Sequence, residues 1–315
     1  MPTTFAITLP DNFRRADFLA FHQRDRQMLS EQWSDNCFTK GIVWNQLPAS
    51  LTFDFTDATT TQITLDVDSG RKKIPPEKTQ QALEKLARHM LGLNQPTAEF
   101  ENFAASHPEL HPLITRQSGL RVPQSASPFE ALSWAIIGQQ ISLGAATSLR
   151  RKLIQRVGIQ HSSGIYCYPQ AEHILLLNED DLRGCSFSKT KAATLLTLAN
   201  AVHSGELPLQ QWLDDAWTSK LLDAEKIYAQ LIAIRGIGPW TIHYGLLRGF
   251  GHMDGSLHGD VAVRRNLQKL LTAQKTFLEE HKISAAETER WLAAFSPWRA
   301  LVAAHLWAMQ QADGY

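Results

Sequence analysis

The stretch that decides the fold is residues 231–260, LIAIRGIGPWTIHYGLLRGFGHMDGSLHGD. It begins as an apolar helix end, breaks at Gly236-Ile237-Gly238, and restarts at Pro239 as a second apolar helix reaching about residue 248. Glycine past one helix end and proline at the next helix start are the punctuation of two helices joined by a tight turn. The glycines let the backbone approach a ligand closely. The N–H groups opening the second helix, with its dipole, suit an anion. No strand precedes the glycines, so a dinucleotide fingerprint is disfavoured and a phosphodiester is the better candidate ligand. Asp260 then opens another helix before Val261-Ala-Val. Aspartate is a good helix cap, and a carboxylate at a fixed distance beyond an anion site also admits a chemical role. Both can hold at once.

Outward from this stretch the chain is helical. Leu83, Leu86, Met90 and Leu93 recur at helix spacing after Pro75-Pro76. Ser127-Pro-Phe-Glu130 reads as a capping box with proline in the first turn. Leu132, Ile136 and Ile137 form the stripe that follows; Gly138-Gln139-Gln140 interrupts it, and Leu149, Leu153 and Val157 carry the next helix. Gly184 closes a helix, Ser188 caps another through Leu195, Leu198 and Val202, and residues 297–311 form the last. Residues 1–70 differ. Phe5-Ala-Ile7-Thr-Leu9, Leu51-Thr-Phe53-Asp-Phe55 and Ile63-Thr-Leu65-Asp-Val67 alternate with period two, the pattern of half-buried antiparallel strands. Asp57-Ala-Thr-Thr-Thr joins the last two as a hairpin, and residues 14–29 supply a helix before them. The expected architecture is mostly α with a small α/β N-terminal domain, an antiparallel sheet covered on one face. Domains are expected at 1–75 and 76–315, the latter in two lobes (113–230, and 76–112 with 231–315).

The 315 residues carry 43% hydrophobic and 20% charged side chains, an ordinary globular balance long enough for more than one core. Lys plus Arg and Asp plus Glu both total 31, so any basic face must be local. Residues 116–156 hold six basic side chains (Arg116, Arg121, Arg150, Arg151, Lys152, Arg156) against Glu130 alone. That run reads as a solvated helix face or as a phosphate-tracking patch. Cys37, Cys167 and Cys185 form no CxxC pair, which fits a reducing compartment and excludes a disulfide framework. No window reaches the roughly 18 apolar residues of a membrane helix. A cytoplasmic monomer without membrane contact is expected.

Residues 231–244 with Asp260 beyond resemble the helix-hairpin-helix DNA glycosylase superfamily. Pro128-Phe-Glu with Ala135-Ile-Ile-Gly-Gln139, residues 198–209, and Pro297-Trp-Arg-Ala-Leu with His305-Leu-Trp307 narrow the resemblance to DNA-3-methyladenine glycosylase II. It covers nearly the whole chain, in order. It implies removal of alkylated purines from duplex DNA in base excision repair, with Asp260 as the essential aspartate. Hydrolysis of an N-glycosidic bond passes through an oxocarbenium-like sugar, which a carboxylate stabilises while orienting water. By the resemblance, Trp240, Tyr244 and Trp298 occupy positions of pocket-lining aromatics, with Gln139 beside them; by spacing alone aromatics of this kind read as core. Electron-poor alkylated bases are attracted to aromatic faces. Gly236, Ile237, Gly238 and Thr241 would meet the DNA backbone, and Gln140 would fill the gap left by the flipped base, in place of an apolar wedge. Trp240 stands where bifunctional relatives carry a lysine, so no Schiff base is expected and the chain would be monofunctional. The cysteines of iron–sulfur relatives are missing. The resemblance implies no organic cofactor, and a structural monovalent cation on the carbonyls of Ile232, Ile234 and Ile237.

Three other readings compete. A non-catalytic DNA-binding module would keep the hairpin alone. His252-Met-Asp254 with His258-Gly-Asp260 offers ligand types for a metal, broken by glycines. Ser188-Lys-Thr-Lys191 has the Ser-x-x-Lys spacing of acyl-transferring enzymes without their companion motifs.

Overall fold

The structure, a computed structural model, describes residues 2–69, 76–218, 221–274 and 282–309. The expected start signal at Pro75 and the last two residues of the expected 297–311 helix lie outside them. The N-terminal part contains β1 (Thr3–Thr8), α1 (Arg15–His22), β2 (Glu31–Trp33), β3 (Cys37–Trp44), β4 (Leu47–Asp54) and β5 (Thr60–Val67). The sheet is antiparallel throughout, ordered β1-β5-β4-β3-β2. Phe53 pairs with Phe38 and Ile63 across it, and Phe18 of α1 packs on Phe38, Phe53 and Phe55. Thr39–Thr52 and Thr4–Thr64 hydroxyl pairs mark the polar face. The hairpin at residues 57–59 forms as expected, the Asp57 carboxylate accepting from the backbone of Thr59 and Thr60.

Two features depart from the sequence reading. The first helix stops at His22 rather than near residue 29, and the segment beyond it turns toward the helical part. Strands β2 and β3 were not expected. In β3 the alternation is lost because both faces are covered at Gly41, where an added Cβ would lie 2.0 Å from the Tyr166 carbonyl oxygen. A strand buried on both sides shows no period-two signal.

The helical part runs α2 (Pro76–Met90), α3 (Thr97–Ala105), α4 (His111–Arg116), α5 (Pro128–Gly138), α6 (Leu143–Val157), α7 (Ala171–Ile174), α8 (Glu179–Gly184), α9 (Lys189–His203), α10 (Leu209–Trp217), α11 (Ala224–Ile232) and α12 (Pro239–Gly245). A π-helical turn (Leu246–Phe250) extends α12, and α13 (Val261–Ala273), α14 (Ala285–Ala293) and α15 (Arg299–Ala308) complete it. Three apolar cores organise the chain, and they divide it differently from the expected boundaries. Leu83, Leu86 and Met90 of α2 belong to the sheet's core. Leu113, Ile114 and Val122 join α13–α15. Leu231, Ile237 and Ile242 of the hairpin pack with α5–α10. The hairpin region is therefore shared: Tyr244 and Leu247 face one helical core, Ile242 and Leu246 the other.

Ser127 caps α5 through Glu130 N–H at 3.1 Å, but the Glu130 carboxylate does not close a capping box. It accepts from Ala126 N–H and enters a buried ionic cluster with Glu31, Lys40 and Arg150. Burial alone would raise the Glu31 carboxyl, yet Arg150 and Lys40 together hold it well below the carboxylate range. The cluster ties β2 and β3 to α5 and α6. It also explains the basic run. Arg150 lies inside the cluster, Arg151 pairs with Asp25, Arg156 with Asp181, and Arg121 donates to Gly119 O and Thr97 Oγ1. The phosphate-tracking reading is thus corrected for Arg150, Arg151 and Arg156, whose partners Glu31, Asp25 and Asp181 come from segments outside the run.

Candidate active site and DNA interface

Helix α11 ends at Ile232, and the chain reverses through residues 233–238. Gly236 takes φ +95°, and a Cβ there would lie 2.1 Å from Thr194 Oγ1, so both conformation and contact require glycine. Thr194 Oγ1 donates to Arg235 O at 3.0 Å, fastening the turn to α9. Gly238 is the extended residue before α12, and nothing lies within 4 Å of a Cβ built on it. The N–H groups of Gly236 and Gly238 have no acceptor among the described residues. Ile237 differs from expectation: its N–H donates to Ile234 O at 3.0 Å and its side chain is core, so it offers a phosphate neither. Thr241 is buried, and its hydroxyl accepts from Gln139 Nε2 at 2.9 Å.

Gln139, expected in the base pocket, also acts as a brace. Its Nε2 also donates to Gly236 O at 2.9 Å, joining the α5–α6 turn to the hairpin. Next to it, Gln140 is exposed with φ +57°, a conformation most residues avoid, and so projects from a strained turn. Ile141, 38% exposed, supplies an apolar side chain on the same turn.

A cleft of about 990 Å³ opens between this turn, the hairpin and the start of α13. Trp240, Tyr244, Gln139 and Asp260 line it, and so does Gln140, which was expected as the wedge. Trp298 does not. It precedes α15 and packs on Phe100 at 5.7 Å between ring centroids; Trp307, further along α15, lines the cleft instead. Trp134, Arg24 and Arg248 also line it and were not singled out from sequence. Trp307 stood inside a quoted motif and could have been found there. Arg24 had no signal, because it comes from the segment after α1, in the N-terminal domain.

Asp260 is 9% exposed and held by four donors. Oδ1 accepts from Ala262 N–H at 2.9 Å, Val263 N–H at 3.0 Å and Trp307 Nε1 at 3.1 Å. Oδ2 accepts from Trp240 Nε1 at 2.9 Å. The cap and the carboxylate facing the cleft are one group: one oxygen fixes α13, and the other stands beside the indole that stacks near Tyr244, at 5.4 Å. Among the described residues no lysine lines the cleft.

The rival constellations separate. Asp254 accepts from Arg299 Nε at 2.8 Å and Ser296 Oγ at 2.8 Å, His258 contacts Ser256, and no metal-holding group of three exists among the described residues. Ser188 caps α9, while Lys191 Nζ donates to Ile137 O at 2.7 Å, at the end of α5. Lys191 is therefore committed elsewhere and is no base for Ser188.

A hairpin with free N–H groups, facing a cleft that holds a fixed carboxylate between indoles, defines a helical hydrolase-type site on a helix-hairpin-helix frame. Residues 133–294, just over half the chain, match the HhH-GPD superfamily base excision DNA repair protein, and the chain belongs to that family. It is 26% identical over 304 residues to a DNA-3-methyladenine glycosylase of Bacillus subtilis (strain 168), covering 94% of this chain and 96% of that protein. It is 27% identical over 191 residues to DNA-3-methyladenine glycosylase 2 of Escherichia coli (strain K12), 60% of each chain. The fold is that of the 3-methyladenine DNA-glycosylase from Archaeoglobus fulgidus, with TM-score 0.74, 23% identity, and 96% and 97% of the two chains covered. No helix among the described residues is long and apolar enough to cross a membrane.

Proposed function

We propose that the chain is a monofunctional DNA glycosylase that hydrolyses the N-glycosidic bond of 3-methyladenine-type alkylated purines in duplex DNA, acting in the cytoplasm as a monomer. The observation that carries this is Asp260, fixed by four N–H donors at the edge of an aromatic cleft beside the hairpin. The N–H groups of Gly236 and Gly238 receive a DNA phosphate. The flipped base enters against Trp240, Tyr244 and Trp307, and Gln140 with Ile141 occupies the vacated stack. Asp260 then stabilises the oxocarbenium-like sugar and orients water toward its anomeric carbon. With no lysine on the cleft among the described residues, no Schiff base forms, and the product is free base plus an intact abasic strand.

The carbonyl oxygens of Ile232 and Ile237 receive no hydrogen bond among the described residues, which leaves them open to a monovalent cation. That of Ile234 already accepts from Ile237 N–H. Such a cation would add positive charge beside the phosphate.

The test is release of methylated base from alkylated duplex DNA by the wild type and Asp260→Asn. Release by wild type alone supports the reading, and equal release by both removes the role of Asp260. No release by wild type, with salt-sensitive DNA binding retained, would make the chain a binding module. Borohydride trapping of a protein–DNA adduct would overturn monofunctionality.

A further inference from the structure

Phe21, the penultimate residue of α1, carries two guanidiniums on one ring: Arg24 lies 4.0 Å from its centroid and Arg248 4.2 Å. Both arginines line the cleft, whereas Phe21 is buried behind that wall and borders a separate cavity of about 40 Å³. The two cations come from different parts of the chain, Arg24 from the segment after α1 and Arg248 from the π-helical turn that extends α12. Asp25, the carboxylate next to Arg24 in sequence, is paired with Arg151. The Nε atoms of Arg24 and Arg248 are buried without acceptors. Two like charges drawn to one place repel each other, and the negative face of the shared ring attracts both. The same two guanidiniums reach Tyr244. Arg24 Nη1 donates to its hydroxyl at 3.5 Å. Burial lowers Arg248 to about 10, which leaves it cationic at neutral pH, and the Tyr244 hydroxyl beside it opposes that fall. The Tyr244 ring lies 5.4 Å from Trp240 and 6.3 Å from Trp307, the two indoles that donate to Asp260. Its hydroxyl end is thus held by the cations on Phe21, and its ring packs beside the indoles.

We propose that Phe21 is a positioning residue for base excision: its ring holds Arg24 and Arg248 in place, and these hold the Tyr244 hydroxyl so that the tyrosine face stays turned to the flipped base. This rests on the glycosylase reading above. Phe21 acts through its neighbours and does not touch the base, so the N-terminal domain supports the pocket from behind. A leucine at this position fills much of the space but offers the guanidiniums no negative face. They separate, and the Tyr244 ring is released. The loss falls on the excision step rather than on binding, because the duplex is gripped at the hairpin N–H groups of Gly236 and Gly238, which Phe21 does not contact.

The experiment measures single-turnover release of 7-methylguanine from duplex DNA, and DNA affinity by fluorescence anisotropy, for wild type, Phe21→Leu, Tyr244→Phe and the double variant. Phe21→Leu is expected to lower the rate at saturating DNA about tenfold, the weight of one desolvated cation–π contact, with affinity within about twofold of wild type. In the Tyr244→Phe background no hydroxyl remains to be held, so the same substitution should cost less than about threefold. A ring-fluorinated phenylalanine at position 21 keeps the shape and weakens the quadrupole. It should reproduce the Phe21→Leu loss, and it decides the matter if thermal melting shows that Phe21→Leu does not fold. Losses that multiply in the double variant, a fall in affinity as large as the fall in rate, or a fluorinated protein as fast as wild type would each overturn the inference. A wild type that releases no methylated base from alkylated duplex DNA overturns the glycosylase reading itself.

Discussion

Trp240 Nε1 donates to Oδ2 of Asp260 at 2.9 Å, so the ring expected to stack on a flipped base also fixes the carboxylate expected to act on its sugar. Its role therefore splits into a face and an N–H. Trp240→Phe keeps an aromatic face and removes the donor. A hydrogen bond to a charged group contributes about 1.5–3 kcal/mol, so the single-turnover rate should fall roughly 10- to 100-fold, with DNA affinity little changed. Trp240→Ala should weaken both. Equal loss in the two variants would mean the indole N–H does nothing for the carboxylate.

The brace at Gln139 predicts a binding defect separate from chemistry. Its Nε2 bonds to Gly236 O and Thr241 Oγ1 hold the α5–α6 turn against the hairpin. Gln139→Ala removes two bonds of about 1 kcal/mol each. Binding to duplex DNA should weaken roughly 5- to 30-fold, while the rate at saturating DNA stays within a few-fold of wild type. Titration by fluorescence anisotropy with single-turnover rates would separate the two, and a rate loss larger than the binding loss would contradict the bracing role.

Gly236→Ala should fail for two reasons that add. The residue takes φ +95°, and the new Cβ would meet Thr194 Oγ1 at 2.1 Å. Backbone strain of about 1–3 kcal/mol and loss of the Thr194 tether to Arg235 O should lower Tm and abolish tight DNA binding. Gly238→Ala has open space around it and a negative φ, so it should cost much less stability. Melting curves for the pair check the contrast.

How far these positions could be read beforehand follows a physical line. Local signals worked: Ser127, Ser188 and Asp260 cap helices where their spacing demanded, and Gly236 marks the turn. The four cleft residues Trp240, Tyr244, Gln139 and Asp260 sit on or beside those local features. Pairings across distant segments left no trace. Glu130 looked like a capping-box partner until Lys40 and Arg150 claimed it, and β3 lost its alternation because Tyr166 covers Gly41. Arg24 reaches the cleft only because α1 ends at His22, a boundary that tertiary packing sets.

The ionic cluster predicts a compensating pair. Lys40 Nζ lies 2.5 Å from Glu31 and 2.7 Å from Glu130, with Arg150 as the second cation. Lys40→Met leaves two buried carboxylates with one cation, a defect of about 3–5 kcal/mol by analogy with other broken buried pairs. Lys40→Met with Glu130→Gln restores neutrality and should recover part of the loss. Denaturant unfolding of the four-member cycle tests the coupling; strictly additive losses would mean the charges act independently.

Acid stability should reflect buried imidazoles before the carboxylates titrate: burial lowers His22 and His243 as well as His89 and His305. Burial holds His89 and His305 down to about 3, and His305 Nδ1 lies 2.8 Å from Gln117 Oε1, with the Phe100 ring beside it. In the unfolded chain both protonate at the ordinary histidine value of about 6.5. The folded values are depressed for a base, so above about pH 6.5 both states are neutral and neither group affects stability. As pH falls from there toward about 3, the unfolded state binds protons that the folded state refuses, and stability declines. Glu31 adds its own loss only lower, below the ordinary carboxylate value, since Arg150 and Lys40 keep it ionised when folded. Tm should therefore begin to drop near pH 6, above the carboxylate range. His305→Gln removes one of these titrations, so its fall in Tm between about pH 7 and about pH 5 should be smaller than that of wild type, whatever its Tm at neutral pH. An unchanged slope would mean His305 takes up its proton without unfolding.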